Sequence, residues 1–203
     1  MKETIIQFGE GGFLRSFADM FVHKMNEQGL YQGKVVVVQP IEKGLISVLN
    51  EQKGVYHQYL RGIEGGKVIN ECTKVTSISR GINPYTDYEE YLRLAHNPDM
   101  RIIISNTTEA GIEYLGVEKL EDQPPKSFPA KLTALLYERF KAKLGGFIIL
   151  SCELIDNNGD ELKKCVLQYA RLWELPQAFL TWVEEENHFC NTLVDRICTG
   201  YPK

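Results

Sequence analysis

The first 40 residues alternate between apolar runs and a segment of helical periodicity. The runs T-I-I-Q-F at 4–8 and V-V-V-V-Q at 35–39 are mostly apolar, without a strict alternation of polar residues, which predicts two strands buried on both faces. Between them, residues 13–28 carry an apolar helical face, and Gly29 follows at the position expected of a C-cap. The predicted face comprises Phe13, Phe17, Met20, Phe21, Lys24 and Met25. The pattern therefore predicts a β-α-β unit built on a parallel sheet.

The same alternation resumes further along the chain. We predict strands at 101–105 and 147–151 and helices near 86–96, 130–144, 160–174 and 177–187. Residues 55–80 differ, because two β-prone segments separated by E-G-G predict a hairpin rather than a crossover. The expected fold is α/β: a Rossmann-like, doubly wound, mostly parallel sheet with an inserted antiparallel β segment near 55–80. We expect residues 1–203 to form one domain.

The glycine turn G-E-G-G-F-L-R has the elements of a dinucleotide site. Such a site needs a tight turn, a residue without a side chain beside the pyrophosphate, and a helix N-terminus. Gly9 with Gly11 or Gly12 supplies the first two, and the helix that begins near Phe13 supplies the third. Leu14 takes the place of the third glycine of G-x-G-x-x-G, which predicts a slightly different approach of the helix.

A positive charge one turn into the helix strengthens this interpretation. Arg15 is placed to face the phosphates of a bound dinucleotide. A plain turn between a strand and a helix is the alternative. The predicted cofactor-binding residues of this turn are Gln7, Phe8, Gly9, Glu10, Gly11, Gly12, Phe13, Leu14 and Arg15.

Two further strand ends bear on the cofactor. The second strand of such a fold normally ends on an acid that binds the adenosine ribose, but Gln39 stands here and Glu42 follows three residues later. The choice between NAD and NADP therefore stays open from the residues. The loop S-N-T-T-E-A-G follows the strand at 101–105, and we predict that Thr107 and Thr108 contact the cofactor. The alternative is a capped loop in which one of these threonines begins the next turn.

Three polar features near the C-terminus have competing interpretations. The run D-N-N-G-D at 156–160 has the wrong spacing for a calcium loop and fits a turn followed by a helix cap. Cys152 has no base nearby in sequence, so a packed thiol is favoured over a nucleophile. Asp195 and Arg196 lie in an otherwise apolar stretch, where buried charges need partners. They indicate either a functional role or a structural ion pair.

Composition excludes several classes of protein. A net charge of −4 gives no nucleic-acid footprint, and no apolar run reaches the length of about 20 residues that a membrane helix needs. The N-terminus has no signal-peptide pattern. The five widely spaced cysteines predict reduced thiols in the cytoplasm, and neither they nor the four histidines have metal-ligand spacing. We expect no metal, no membrane and no nucleic-acid partner.

Five motifs resemble, in order, the N-terminal half of the polyol-specific long-chain dehydrogenases, the mannitol dehydrogenase relatives. They are G-E-G-G-F-L-R, S-N-T-T-E-A-G-I, P-A-K-L-T-A-L-L-Y-E-R-F, C-E-L-I-D-N-N-G and F-C-N-T-L-V-D-R-I-C-T-G-Y-P. The resemblance implies a Rossmann-like domain that binds NAD and serves hydride transfer to a small-molecule substrate. Polyol-acting relatives read C-D-N where this chain has Cys152-Glu153-Leu154, which favours the branch of the family that interconverts uronates and aldonates.

The resemblance also implies roles near the substrate and an important absence. Asn158 and Asp195 match family positions on the substrate side of the nicotinamide. The family's catalytic lysine lies in a helical C-terminal domain, and no K-x-x-x-x-N-x-x-H pattern occurs here. We therefore expect no catalytic residue in this chain, weak dinucleotide binding and no turnover. A fructuronate- or polyol-acting member of the family, or a non-catalytic dinucleotide-binding module, stays open as an alternative.

Overall fold

The computed structural model describes residues 1–108 and 111–200. The strands are β1 (Lys2–Phe8), β2 (Gly33–Val38), β3 (Tyr56–Glu64), β4 (Lys67–Val75), β5 (Ile78–Ile82), β6 (Ile102–Ser105), β7 (Ile148–Ser151) and β8 (His188–Cys190). The helices are α1 (Gly12–Ser16), α2 (Ala18–Glu27), α3 (Ile46–Glu51), α4 (Tyr88–Arg93), α5 (Phe128–Lys141), α6 (Asn158–Leu172) and α7 (Gln177–Glu186). A single 3-10 turn, Leu94–His96, extends α4.

Six strands form one parallel sheet in the order β5-β2-β1-β6-β7-β8. The order runs outward in both directions from β1, so the chain reverses direction across the sheet at the junction of β1 and β6. Ligands of doubly wound sheets bind at this reversal, beyond the carboxyl ends of the strands. The prediction of a Rossmann-like, doubly wound fold is confirmed, and β1 with the turn that follows it lies at the centre.

Alternate side chains of the central strands enter two separate cores, one on each face of the sheet. Ile6 and Phe8 pack with residues of α4, α5, α6 and α7 in the larger core. Ile5 packs on the other face with residues of α1, α2 and α3. Because both faces are covered, the central positions of β1, β2, β6 and β7 are mostly apolar and buried.

The antiparallel insertion is shorter than predicted. β3 and β4 pair from Tyr56↔Val75 to Glu64↔Lys67 as a separate two-stranded sheet. The second of the two β-prone segments predicted within residues 55–80 breaks after Val75, and β5 begins at Ile78 and pairs in parallel with β2. The hairpin interpretation was correct for residues 56–75 and wrong for the rest, because β5 completes the parallel sheet and is buried at both ends, at Ile78 and Ile82.

The first helix also differs from its prediction. It divides at Phe17, whose φ of −114° and ψ of −85° are not helical, into α1 and α2. The change of direction turns Ala18, Asp19 and Val22 toward the sheet. Phe21 and Met25, which were predicted to face the core, lie 45% and 37% exposed. Instead, Phe13 and Phe17 stack with ring centroids 5.4 Å apart, and Phe21 meets Phe17 edge-to-face at 4.8 Å.

Two elements that the pattern did not predict border the sheet. β8 follows the helix predicted at 177–187. It pairs with β7 and adds a strand of three residues at that edge of the sheet. α3 covers the opposite edge, where Asn50 accepts a hydrogen bond from the Gly81 N–H at 2.7 Å and donates one to the Gly81 carbonyl at 2.9 Å. The side chain of Asn50 therefore satisfies the outward-facing N–H and carbonyl of Gly81 on β5.

Candidate functional site

The glycine turn lies at the carboxyl end of β1, between the ends of β2 and β6. Gly9 N–H donates to the Val38 carbonyl at 3.1 Å, and Asn106 N–H donates to the Phe8 carbonyl at 3.0 Å. Gly9 has a φ of +118°, and a Cβ at this position would lie 2.7 Å from the Asn106 carbonyl oxygen. Gly9 therefore cannot carry a side chain without displacing the loop that follows β6.

Gly11 and Gly12 face open space. A Cβ built on either residue has no other atom within 4 Å, and both residues are exposed. Gly11 is the N-cap of α1, with extended φ and ψ of −67° and 167°. The first N–H groups of a helix have no carbonyl partner within the helix, so they are available to an anion at this turn. The bare turn fits a diphosphate, which side chains here would keep away from the backbone.

Arg15 and the hairpin support the turn from one side. Arg15 is half-buried; its Nε donates to the Gly11 carbonyl at 3.4 Å, and its guanidinium lies 5.6 Å from the centre of the Tyr56 ring. The Tyr56 hydroxyl donates to the Arg15 carbonyl, and Gln58 Nε2 donates to the Ser16 carbonyl at 3.1 Å. Burial, together with the nearby Asp19, raises the pKa of Tyr56, so this hydroxyl stays a donor.

A buried polar pair lies directly beneath the turn. Gln7 Nε2 donates to the Gly9 carbonyl at 3.0 Å and to Asp19 Oδ2 at 3.2 Å, and neither residue is exposed to solvent. Burial raises the pKa of Asp19 to about 7, against the opposing effects of Gln7 and Arg15. Sequence reasoning missed Asp19, although a carboxylate between Ala18 and Met20 in an apolar helix was a usable signal.

The other predicted residues of the turn act mainly through the backbone or packing. The side chain of Phe8 lies wholly in the larger core, with its ring 4.9 Å from that of Phe128. Leu14, which replaces the third glycine, is buried, and its Cδ1 would lie 3.6 Å from a Cβ at Gly9, so its side chain packs against the turn. Phe13 is half-buried against Phe17.

The loop after β2 is held by two side chains. Gln39 is buried; its Nε2 donates to the carbonyls of Ile41 at 2.8 Å and Glu42 at 3.0 Å. Glu10, which is 9% exposed, accepts a hydrogen bond from Leu45 N–H at 3.3 Å. A cavity of about 590 Å³ opens beyond this loop, between the carboxyl ends of β2 and β5. Glu42 itself is exposed on the outer wall of that cavity.

A buried carboxylate joins the ends of β6 and β7. Glu153 accepts hydrogen bonds from Thr107 N–H at 3.1 Å, from the Thr107 hydroxyl at 3.0 Å and from the Ser105 hydroxyl at 3.0 Å. Burial raises the pKa of Glu153, and these hydrogen bonds oppose the rise. Thr107 is thus fixed by Glu153. Sequence reasoning did not select Glu153, because its position after a strand gave no indication of what it contacts.

The residues on either side of Thr107 complete the beginning of the loop after β6. Asn106 Nδ2 donates to the Cys152 carbonyl at 2.5 Å, which adds a second link to β7. Thr108 is exposed and has a φ of +80°, a left-handed conformation that suits a tight turn. Glu109 and Ala110 of the motif lie outside the described residues. Thr107 and Thr108 therefore lie at the carboxyl edge of the sheet, with Thr108 the more accessible of the two, and their contact with the cofactor stays a prediction.

The two residues predicted on the substrate side have different surroundings. Asn158 is buried; its Nδ2 donates to the Glu153 carbonyl at 2.9 Å and the Thr192 carbonyl at 3.0 Å, and its Oδ1 accepts from Thr192 N–H at 2.9 Å. It therefore fastens the segment after β8 to the end of β7. That segment continues to Cys198, whose sulfur lies 2.9 Å from the Ser16 hydroxyl of α1. Asp195 lies in the same segment, and its side chain is exposed. Its charge is therefore not a buried one that would need a partner.

The described residues support neither a cysteine nucleophile nor a metal site. Cys152 is buried, and burial raises its pKa to about 11, so it stays a thiol, as favoured from the sequence. Residues 1–108 and 111–200 contain no group of three histidine, cysteine or acidic side chains arranged to hold a metal ion. No helix within those ranges combines the length and apolar character needed to cross a bilayer.

The chain is similar in sequence to a known family and to known enzymes. The sequence profile of the mannitol dehydrogenase Rossmann domain matches residues 3–202. The altronate oxidoreductases of Escherichia coli O7:K1 and O1:K1 are each 50% identical to this chain over 99% of its length. The match covers 43% of each of those relatives, so the chain spans less than half of their length.

Two solved structures share the fold. Pseudomonas fluorescens mannitol 2-dehydrogenase, in a ternary complex with NAD and D-mannitol, superposes with a TM-score of 0.83 at 20% identity, over 97% of this chain and 42% of that one. A D-sorbitol dehydrogenase in substrate-free form gives a TM-score of 0.76 at 21% identity, over 93% of this chain and 41% of that one. With its profile match from residue 3 to residue 202, this chain belongs to the mannitol dehydrogenase family, as a Rossmann domain of that family.

Proposed function

We propose that this chain is the NAD-binding domain of an enzyme that interconverts D-tagaturonate and D-altronate by hydride transfer, a step in hexuronate breakdown. The observation that carries the proposal is the 50% identity with Escherichia coli altronate oxidoreductase, which extends over 99% of the chain. The open turn at Gly11 and Gly12, directly after the central strand, supports the cofactor half of the proposal.

In this proposal the cofactor lies along the carboxyl edge of the sheet. The backbone of Gly11 and Gly12 at the start of α1 receives the diphosphate, and Arg15 supplies positive charge beside it. Thr107 and Thr108 face the nicotinamide half, with Thr107 held rigidly by Glu153. The bound nicotinamide supplies or accepts the hydride, while these residues fix its position at the switch point of the sheet.

The uronate branch of the family is favoured by the residues after β7. Polyol-acting relatives carry C-D-N here, whereas this chain has Cys152-Glu153-Leu154. Leu154 is 62% exposed, so this position faces outward from the carboxyl end of β7. In the proposal Asn158 acts as a positioning residue through Thr192, and Asp195 faces the substrate side.

The chain carries no proton donor that we assign to the reaction. Hydride transfer to a ketone needs a group that protonates the developing alkoxide. The chain spans less than half of the length of its altronate oxidoreductase relatives. We therefore propose that this part binds the dinucleotide, and that the proton-transferring residue belongs to the remainder of the enzyme.

A titration of NADH followed by nicotinamide fluorescence tests the cofactor half. We expect saturable binding to the 203-residue chain. A Gly11→Trp variant should lose it, because an indole would fill the open space over the turn. Gly145→Trp is the matched control, since Gly145 is also exposed with no atom within 4 Å of a built Cβ, but lies after α5 at the opposite edge. Equal binding by both variants would contradict the proposed site.

A fusion tests the substrate half. The chain alone should consume no NADH with tagaturonate. Fused to the unmatched C-terminal part of Escherichia coli altronate oxidoreductase, it should oxidise NADH with tagaturonate well above fructuronate or fructose. A folded fusion that binds NADH and prefers fructuronate or fructose would favour the alternative members of the family. A fusion that binds NADH and reduces none of the three would leave only a non-catalytic binding module.

A further inference from the structure

The acid that usually binds the adenosine ribose is missing from the end of β2, and the residue in its place is fully occupied. Gln39 follows Val38 at the strand end. Its Nε2 donates to two carbonyls of the following loop, and its Oε1 accepts from Ile46 N–H at 3.4 Å. Because its amide nitrogen and its amide oxygen already form hydrogen bonds with the loop and with Ile46, Gln39 has little capacity left to bind ribose hydroxyls.

A carboxylate from the glycine turn reaches the same place. A Cβ built on Gly44 would lie 2.1 Å from Glu10 Oε1 and 2.5 Å from Gln39 Oε1. Both side chains therefore flank a single point, just beyond the end of β2. The absence of a side chain at Gly44 is what allows Glu10 to extend from one loop to the other.

The carboxylate of Glu10 is only partly engaged. Its Oε1 accepts one long hydrogen bond, from Leu45 N–H at 3.3 Å. Within residues 1–108 and 111–200, no group donates a hydrogen bond to its Oε2. An ionised carboxylate can accept hydrogen bonds at both oxygens, so Glu10 retains acceptor capacity at the end of β2.

We propose that Glu10 is the residue that binds the adenosine ribose and makes this site select NADH over NADPH, an inference that rests on the proposed function. A carboxylate accepts strong hydrogen bonds from the two ribose hydroxyls. A 2′-phosphate at the same point would bring two negative groups together and replace a donor by acceptors, which is a repulsive basis for specificity. The turn thus supplies both the diphosphate cradle and the ribose acid.

Glu42 is the competing candidate. It lies three residues beyond Gln39, and its exposed side chain borders the cavity between β2 and β5. Among the described residues, the one hydrogen bond to Glu42 holds its backbone carbonyl, from Gln39 Nε2 at 3.0 Å. An unrestrained surface carboxylate loses side-chain entropy on binding and is well solvated, so it contributes less to discrimination than a nearly buried one.

Titrations of NADH and NADPH against three proteins decide between the two acids. The proteins are the unmodified chain, Glu10→Gln and Glu42→Gln. Glutamine at position 10 keeps an oxygen for Leu45 N–H, so the loop stays tied, but it removes the charge. Losing a charge-assisted hydrogen bond should raise the Kd for NADH by about tenfold. The Kd for NADPH should fall, so that the preference for NADH largely disappears, whereas Glu42→Gln should retain it.

The possible outcomes separate this inference from the proposed function. An unmodified chain that binds neither dinucleotide would overturn the proposed function and the inference with it. Saturable binding with equal affinity for NADH and NADPH would leave the proposed function standing and overturn the role of Glu10. So would an unchanged preference in Glu10→Gln, or a preference lost only in Glu42→Gln. Thermal melting of each variant checks that the fold is retained.

Discussion

Asp19 and Gln7 form a polar pair in the otherwise apolar layer between α2 and the sheet. Both are fully buried, and within the described part of the chain neither Gln7 Oε1 nor Asp19 Oδ1 has a hydrogen-bond partner. The pair nevertheless holds the Gly9 carbonyl, through Gln7 Nε2 at 3.0 Å. A buried polar group in this position costs stability but restricts the conformation of the turn above it.

The titration of Asp19 should make the fold less stable as the pH rises. Burial raises its pKa to about 7, above the value near 4 of an unfolded aspartate, so the folded chain retains a proton that the unfolded chain releases. The stabilising contribution is present below the unfolded pKa and is lost as the pH rises through the folded pKa. Relative to Asp19→Asn, the unmodified chain should lose about 1 kcal/mol of unfolding free energy per pH unit between about pH 5 and pH 7.

Urea denaturation at a series of pH values measures this difference. Asp156→Asn is the matched control, because Asp156 is exposed in the loop before α6. Its unfolding free energy should parallel that of the unmodified chain. Parallel curves for the unmodified chain and Asp19→Asn would mean that Asp19 titrates normally in the folded state.

For single residues, the sequence predicted where they lie in the fold better than what they contact. The glycines of the turn were found from their spacing, since only backbone requirements are involved. Asp19 was missed because its burial depends on the break at Phe17, where nothing in the composition of the helix marks a change of direction. Glu10 was selected only as a member of the turn, since its reach to Leu45 depends on a glycine 34 residues away in sequence, at position 44.

The loops after β6 and β7 are joined into one unit by Glu153. This carboxylate accepts from Ser105 on β6 and from both donors of Thr107, while Asn106 donates to the Cys152 carbonyl. Four hydrogen bonds between two adjacent strand ends restrict the nicotinamide side of the proposed site. The loop after β6 is therefore pre-organised at its beginning, where Thr107 lies.

A double-mutant cycle measures this link. Glu153→Ala and Thr107→Val should each destabilise the chain, and together by less than the sum, because both remove the same hydrogen bond. We expect a coupling free energy of about 1–2 kcal/mol from urea denaturation. As a control, Glu153→Ala combined with Thr86→Val should be additive, since the Thr86 hydroxyl donates to the Asn83 carbonyl in a different loop. Additivity in the Thr107 pair would argue against the link.

Element types followed from periodicity, whereas pairing partners did not. The buried strands β1, β2, β6 and β7 were predicted because apolar runs of that length fit only a sheet covered on both faces. β5, whose sequence Ile78–Ile82 contains arginine and glycine, was absorbed into the hairpin. Its polar residues are explained by tertiary contacts, since Arg80 forms ion pairs with Glu3 at 2.8 Å and Glu90 at 2.5 Å.

The carboxyl edge and the amino edge of the sheet carry different features. The carboxyl edge carries the glycine turn and the loops of the proposed site. The amino edge is organised by Arg139 of α5, which is 2% exposed. Its guanidinium donates to the carbonyls of Ala95, Asn97, Met100 and Gly145, at distances of 3.1, 2.6, 3.0 and 2.9 Å. One cation thereby fixes the connections that lead into β6 and β7.

Stability and dinucleotide binding should therefore respond separately to changes at the amino edge. Arg139→Met leaves four carbonyls without their donor, of which those of Ala95 and Met100 are buried, and should lower the unfolding free energy by about 3 kcal/mol or more. The NADH affinity of the folded variant should stay within about twofold, because the site lies at the other edge. Arg101→Met, an exposed arginine at the amino edge, is the control and should change stability by less than about 0.5 kcal/mol. A large loss of NADH affinity in folded Arg139→Met would show that the two edges are coupled.

The side chain of Asn50 has a consequence for how copies of this chain behave in solution. An outer strand of a sheet is a template on which a strand from another molecule can assemble. Asn50 occupies both backbone groups of Gly81 on β5, as an added strand would. At the far side, β8 offers only three residues. The parallel sheet therefore offers few free backbone groups for intermolecular strand addition, which disfavours fibrillar association through the edges of this sheet.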